Sequence, residues 1–215
     1  MSVCGGRRSF GALYITYGQV SVGTFFDKDA FTSLLTPCAG ITAGYHRLWS
    51  HRSYNAPIIT QVVLACLGAG AVQGSIKWWS RGHRAHHRYT DTELDPYNAH
   101  KGFWYSHIGW MLVRPRRKPG VADVSDLSRN PVVRWQHKYY LPLILFMAFV
   151  LPTLVAHFGW GDAKGGLVYA GFLRLVFIHH VRDFGLQGPP RYLILCPQVD
   201  ILCQLACTLV GRNTI

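Results

Sequence analysis

Acidic residues are scarce in this chain: ten Asp and Glu stand against 22 Lys and Arg in 215 residues, and charged residues of both signs make up only 15%. Ordinary soluble domains carry about 25%. Beside a hydrophobic content of 49%, that deficit favours embedding in a membrane. There is no CxxC pair and no HExxH motif, which argues against a zinc ribbon and against a zincin-type hydrolase. The six cysteines, Cys4, Cys38, Cys66, Cys196, Cys203 and Cys207, show no paired spacing beyond a weak Cys203-x3-Cys207, so a reduced state is expected. No clean apolar run follows Arg7 and Arg8, and no signal peptide is read at the start.

Long apolar runs are present where charge is missing. Residues 141–156 are almost wholly apolar, flanked by Tyr139, Tyr140 and Trp160, and aromatic residues favour bilayer interfaces. This is the best transmembrane segment, with Pro142 and Pro152 expected to shape its ends. Residues 165–178 form a second candidate, interrupted by Arg174. A short Gly-Asp-Ala-Lys turn between the two predicts a helical hairpin. Residues 57–76 have the length to cross a bilayer but are only moderately apolar and are loosened by Gly68, Gly70 and Gly74. An interfacial or re-entrant segment is an equal alternative there.

The formal net charge of +12 raises the question of nucleic acid, and the placement of the charge answers it. Between Lys77 and Lys138 twelve Lys and Arg stand against five Asp and Glu, a net of +7 beside the apolar segments. Basic loops next to apolar spans mark the cytoplasmic side of a membrane and suit anionic head groups or a phosphate-bearing substrate. No nucleic-acid motif accompanies them. The run Arg114-Pro-Arg-Arg-Lys118 reads equally as a solvated basic loop.

The residues that carry chemistry are histidines. His46-Arg-Leu-Trp-Ser-His51 and His83-Arg-Ala-His86-His87 place five imidazoles in two short clusters with no cysteine or carboxylate motif beside them. On an α-helix, His83, His86 and His87 share a face and can converge on one point. His46 and His51, five apart, are less well aligned and suit two ions or a helix end. Imidazole donors suit iron, zinc, copper or nickel, and open positions on iron are what oxygen activation requires.

The run Gly40-Ile-Thr-Ala-Gly-Tyr-His-Arg-Leu-Trp-Ser-His-Arg-Ser-Tyr54 resembles the first histidine box of the membrane acyl-CoA desaturases, above all the fungal stearoyl-CoA delta-9 enzymes. Trp79-Ser-Arg-Gly-His-Arg-Ala-His-His-Arg88, then Asp95-Pro and Gly102-Phe-Trp-Tyr-Ser-His-Ile-Gly-Trp-Met-Leu112, is similar to their second box and the stretch C-terminal to it. The resemblance runs from about Gly40 to His180.

The resemblance implies an all-α integral membrane protein with a cytosolic, histidine-rich di-iron cap, in several passes through the endoplasmic reticulum membrane. It implies insertion of a cis double bond at carbon 9 of a saturated acyl-CoA, using O2 and electrons from NADH through cytochrome b5 and its reductase. By the same resemblance His46, His51, His83, His86 and His87 match ligands of two iron ions, Trp79 matches a tryptophan lining the acyl tunnel, and Arg84 and Arg114 fall near the coenzyme A end. For Trp79 the plain alternative is an interfacial anchor. His179 and His180 match an ordinary dipeptide at the end of a span and do not belong to the metal set.

Departures from the family pattern set further expectations. The Asn-Ser-Leu-Ala-His segment and the third box, of the type His-Asn-Phe-His-His, do not occur, so five ligands stand where two irons need more. The chain is therefore expected to be an incomplete member, inactive as it stands: a divergent segment at residues 1–39, a partial desaturase domain at 40–180, and a tail at 181–215 outside the family pattern. Back-translation of residues 199–215 with one nucleotide dropped can read STFCVNSLAHWLGETP, the family continuation with its Asn and His. A retained intron across residues 181–198 that shifts the frame accounts for that tail. Another histidine-box lipid oxygenase, such as a hydroxylase or a sphingolipid desaturase, and a non-catalytic membrane protein are the alternatives.

Overall fold

The computed structural model describes residues 36–114, 117–176 and 178–179, and among these every regular element is helical. The N-terminal segment before residue 36, His180 and the tail, with Cys4, Cys196, Cys203 and Cys207, lie outside the described residues.

After a helical stretch at 36–39, α1, Gly40–Ser50, has π rather than α pitch. Its i→i−5 register continues into the exit, where the His51 amide donates to the His46 carbonyl at 2.9 Å and Ser50 Oγ donates to the Tyr45 carbonyl at 2.7 Å. Helix α2, Ile58–Ala69, packs on it. The two backbones meet at Gly40 and Gly68: a Cβ on Gly40 would collide with the Gly68 backbone, and one on Gly68 with the Tyr45 ring. Gly68 thus permits a close crossing, where its place in an apolar run suggested a loosened helix. At 12 residues α2 is about 18 Å long. That is short of the roughly 30 Å of a bilayer core, so among the two readings of residues 57–76 the crossing one is not supported. The helix ends at Ala69 with Gly70 as its cap, and the connection to the next helix turns at Gly74, whose φ of +95° favours glycine.

Helix α3, Ile76–Tyr89, carries the second histidine cluster. Its start is fixed from outside. Ser75 caps it, with Oγ accepting from the Trp78 amide at 3.4 Å and lying 2.7 Å from His137 Nδ1. The Ile76 amide donates to Gln136 Oε1 at 3.1 Å, while Gln136 Nε2 donates to the Tyr45 hydroxyl at 2.9 Å. Gln136 is fully buried, so a single amide side chain on α6, Pro131–Lys138, ties the start of α3 to α1. Between them lie a short helix α4, Tyr105–Gly109 continuing through Trp110–Leu112, and α5, Ser125–Arg129. The apolar core of Tyr45, Leu48, Trp49, Ile76, Trp79, Leu127 and Val133 sits among α1, α2, α3, α5 and α6.

Beyond the core the chain enters α7, built of Tyr140–Ile144, a π-pitched stretch Leu145–Val150, and Leu151–Trp160. Its 20 residues Tyr140–Gly159 reach a mean hydropathy of 2.1 over an 18-residue stretch and are long and apolar enough to cross a membrane. Leu141, Leu145, Val155 and Phe158 are exposed. A core helix of a soluble protein hides such side chains, whereas a helix that meets lipid shows them. Gly161, at φ +76°, and Asp162, whose Oδ1 accepts from the Gly165 amide at 2.8 Å, turn the chain into α8. That helix, Ala163–Gly165 continuing as Gly166–Leu173, packs back along α7, the hairpin expected from the sequence.

Two residues of the hairpin sit differently from expectation. Pro152 lies inside α7 instead of at its end, just after the π-pitched stretch. Proline has no amide to offer the carbonyl four residues earlier. Arg174 is buried and reaches that carbonyl, Ala148, at 3.2 Å, while also donating to Ala170 and Gly70 carbonyls at 2.7 and 3.2 Å. The cation that interrupts the second apolar run is thus satisfied by backbone from three elements.

Candidate metal centre

Four of the five box histidines converge. One ring nitrogen from each of His46, His51, His83 and His87 falls within 4.8 Å of all the others. His51 Nε2 lies 3.0 Å from His46 Nε2 and 3.1 Å from His83 Nε2, and His83 Nε2 lies 3.0 Å from His87 Nε2. The π pitch of α1 explains the first pair: a ladder that closes over five residues stacks residues five apart, and π turns occur at functional sites. His83 and His87, four apart on α3, meet by ordinary α geometry. His51 does cap the helix end, and it also joins His46 at one point.

The donor set fits a single metal ion. A ring nitrogen holds one in-plane hydrogen or one lone pair, so neither His51 nor His83 can satisfy two neighbouring nitrogens at once by hydrogen bonding. An ion at the centre takes all four lone pairs. Ligands about 2.1 Å from one ion and at right angles would lie roughly 3.0 Å apart, close to the three neighbouring separations, while the widest, up to 4.8 Å, would have to close by a few tenths of an ångström. Burial, then the charges of His87, Arg84 and Arg47, lower the pKa of the His51 imidazole, and burial, then the charge of His86, lowers that of His87. A lowered pKa favours the neutral imidazole, which is the form that ligates a metal.

His86 stands outside this set, although its i+3 spacing from His83 predicted convergence. Its Nδ1 faces both carboxylate oxygens of Asp95, at 2.9 and 3.0 Å. Asp95 is buried and also accepts from the Asp91 amide on Oδ2 and the Tyr97 amide on Oδ1, each at 2.9 Å. A carboxylate on Nδ1 fixes the ring and leaves Nε2 for a ligand, the pattern that supports metal-binding histidines. In the sequence Asp95 stands out only as part of an Asp-Pro motif, and no spacing signal marks its role.

Trp79 is 5% exposed and stacks on His83 with ring centroids 4.8 Å apart, while meeting Tyr45 edge-on at 6.0 Å. It belongs to the core beneath the histidines, a position that an interfacial anchor would not occupy. Arg114 is exposed after α4. Arg84 is engaged entirely within the protein. Nε donates to the Ser50 carbonyl, Nη1 to the Asp123 carbonyl and Asp126 Oδ1, and Nη2 to the Trp49 carbonyl and Asp126 Oδ2, all between 2.6 and 3.0 Å. All five guanidinium hydrogens are thereby used. Arg52 also reaches Asp126, at 2.8 Å, and its φ of +52° is uncommon for a residue with a side chain. Arg52 falls within the first box by sequence, whereas no motif or spacing marks Asp126 as part of this region.

Helical boxes of histidine, a core tryptophan against them and an apolar hairpin beyond define a class, and comparison with known proteins supplies its name. Residues 30–192 match the family model for fatty acid desaturase. The chain belongs to the fatty acid desaturase family. It is 59% identical over 143 residues to a protein of Schizosaccharomyces pombe named as a probable acyl-CoA desaturase, covering 66% of this chain and 30% of that one. It is 49% identical over 154 residues to acyl-CoA desaturase 1 of Saccharomyces cerevisiae, covering 71% of this chain and again 30% of the relative. With human stearoyl-CoA desaturase 5 it shares 49% identity over 138 residues, 62% of this chain and 42% of the relative. The chain thus spans about a third of the length of the fungal relatives it matches.

Proposed function

We propose that this chain carries the first two histidine boxes of an acyl-CoA desaturase that places a cis double bond at carbon 9 of a saturated acyl-CoA. The reading rests on one observation, the convergence of His46, His51, His83 and His87 in a chain of this family. Iron held by imidazoles supplies, with O2, the oxidant that an unactivated C–H bond requires. His46, His51, His83 and His87 hold one iron, and His86, aimed by Asp95, contributes to a second. Trp79 backs the first position, between the apolar core and the ligands, and bears on the acyl chain. Arg114 meets the coenzyme A end. Electrons come from cytochrome b5 and its NADH reductase, and the membrane is that of the endoplasmic reticulum, crossed more than once.

With one metal position furnished by four imidazoles and the other by His86 among the described residues, metal binding is expected of this chain without turnover. The test is anaerobic loading of the full chain in lipid nanodiscs with Fe(II), followed by iron counting and by lipid analysis after expression in a yeast lacking its own desaturase. Iron bound by the parent and lost in His83→Ala supports the centre. Equal iron in the two overturns it, and a hydroxylated or sphingoid product overturns the carbon-9 assignment. Monounsaturated acyl product made by this chain alone overturns the expectation of incomplete coordination.

A further inference from the structure

Arg84 sits between two ligands' elements, and its guanidinium hydrogen-bonds none of the four histidines. Its guanidinium draws in the carbonyls of Trp49 and Ser50 at the C-terminal end of α1, two residues and one residue before His51, and the carboxylate of Asp126 on α5. Arg84 itself lies on α3, next in sequence to His83. Carbonyls at a helix end lack intrahelical donors, and a cation there is favoured. Asp126 closes the assembly by also binding Arg52 through Nε at 3.0 Å and Nη2 at 2.8 Å. Arg52 comes directly after His51 and holds a backbone conformation that persists only where its surroundings impose it.

We propose that Arg84, with Asp126 and Arg52, is a positioning clamp for the metal centre and does not bind the coenzyme A phosphates. The clamp fixes the end of the π-pitched helix against α3, and so sets where His51 stands relative to His83. A phosphate would have to displace a bidentate carboxylate and three carbonyls to reach this guanidinium. Arg114, by contrast, is exposed. The proposal rests on the reading of the four histidines as a metal site.

The test uses Co(II), whose visible absorption reports ligand geometry, titrated into the full chain in nanodiscs. Parent, His83→Ala, Arg84→Gln, Arg84→Lys, Asp126→Asn and Arg52→Ala are compared, with helix content read by circular dichroism and acyl-CoA binding measured on the same samples. Arg84→Gln and Asp126→Asn are each expected to weaken Co(II) by about 10- to 100-fold and to shift the absorption bands at unchanged helix content. Their combination is expected to add little. Arg84→Lys restores the charge but not the fork, and is expected to rescue neither affinity nor spectrum.

No Co(II) binding by the parent overturns the metal reading and the clamp together. Binding that His83→Ala abolishes and Arg84→Gln leaves untouched overturns the clamp alone. Acyl-CoA affinity lost in Arg84→Gln, with Co(II) affinity and spectrum kept, also overturns it. If Arg84→Gln does not fold, Arg52→Ala decides: its arm is exposed, a band shift supports the clamp, and an unchanged spectrum overturns it.

Discussion

Arg174 Nη2 donates to the carbonyl of Ala148 at 3.2 Å, the carbonyl that Pro152 is unable to serve. A buried cation on one arm of the hairpin thus gives this carbonyl a donor, which the proline on the other arm lacks. Replacing Arg174 by Leu should therefore destabilise the hairpin, and placing Ala at 152 should recover part of the loss by restoring the amide. The coupling energy in a double-mutant cycle, read from unfolding in mild denaturing detergent, is expected at about 0.5–3 kcal/mol. Additive losses would show that the two residues act independently.

Asp95 accepts hydrogen bonds from one imidazole and two amides, and an amide side chain has one acceptor oxygen where the carboxylate has two. Asp95→Asn should leave at least one buried donor unserved and cost about 1–3 kcal/mol. The four converging histidines do not touch Asp95, so Co(II) binding by the parent site should survive. Loss of Co(II) affinity in this variant would mean that His86 belongs to the first metal position.

Acid should release the clamp in a definite window. The hydrogen bonds from Arg84, then the Arg84 and Arg52 charges, hold the Asp126 carboxyl at about 2, below the roughly 3.9 of an unfolded aspartate. A depressed folded pKa contributes stability that is complete above the unfolded value and is lost as pH falls through the folded one. The stability difference between parent and Asp126→Asn should be constant down to about pH 4 and vanish toward pH 2. A difference that persists at that acid end would show that charge on Asp126 is not its source.

Gly68 faces the Tyr45 ring and the Gly40 backbone at the closest approach of α1 and α2. Gly68→Ala should force the helices apart and destabilise the fold by about 1–3 kcal/mol, seen as a lower melting temperature. Gly159, which has open space around its missing Cβ, is the control, and Gly159→Ala should be neutral or slightly stabilising. Equal effects at both positions would remove the close crossing as the cause.

The hairpin was legible because hydropathy and a Gly-Asp turn are local signals. The histidines were legible as residue types, and His83 with His87 followed from α geometry. The pairing of His46 with His51 was not, because the π pitch of α1 has no local sequence signal and the groups that grip the helix come from elsewhere: Gln136 on Tyr45, and Arg84 on the carbonyls of Trp49 and Ser50. His86 misled for the opposite reason. Its spacing was right for convergence, and a buried carboxylate nine residues on turned it aside. Pro152 read as a helix end because proline removes an amide, and the arginine that makes up for it is 22 positions away in the chain.

The π pitch of α1 makes this centre sensitive to length more than to composition. Deleting one residue between His46 and His51 would bring them to the four-residue spacing that an α-helix already aligns, so the imidazoles could still meet. The shortened helix would, however, deliver Trp49 and Ser50 to Arg84 out of phase, since those carbonyls are gripped from outside. Changes of side chain along the outer face of α1 leave that phase intact, whereas any change in residue count must be absorbed by either the ligands or the grip.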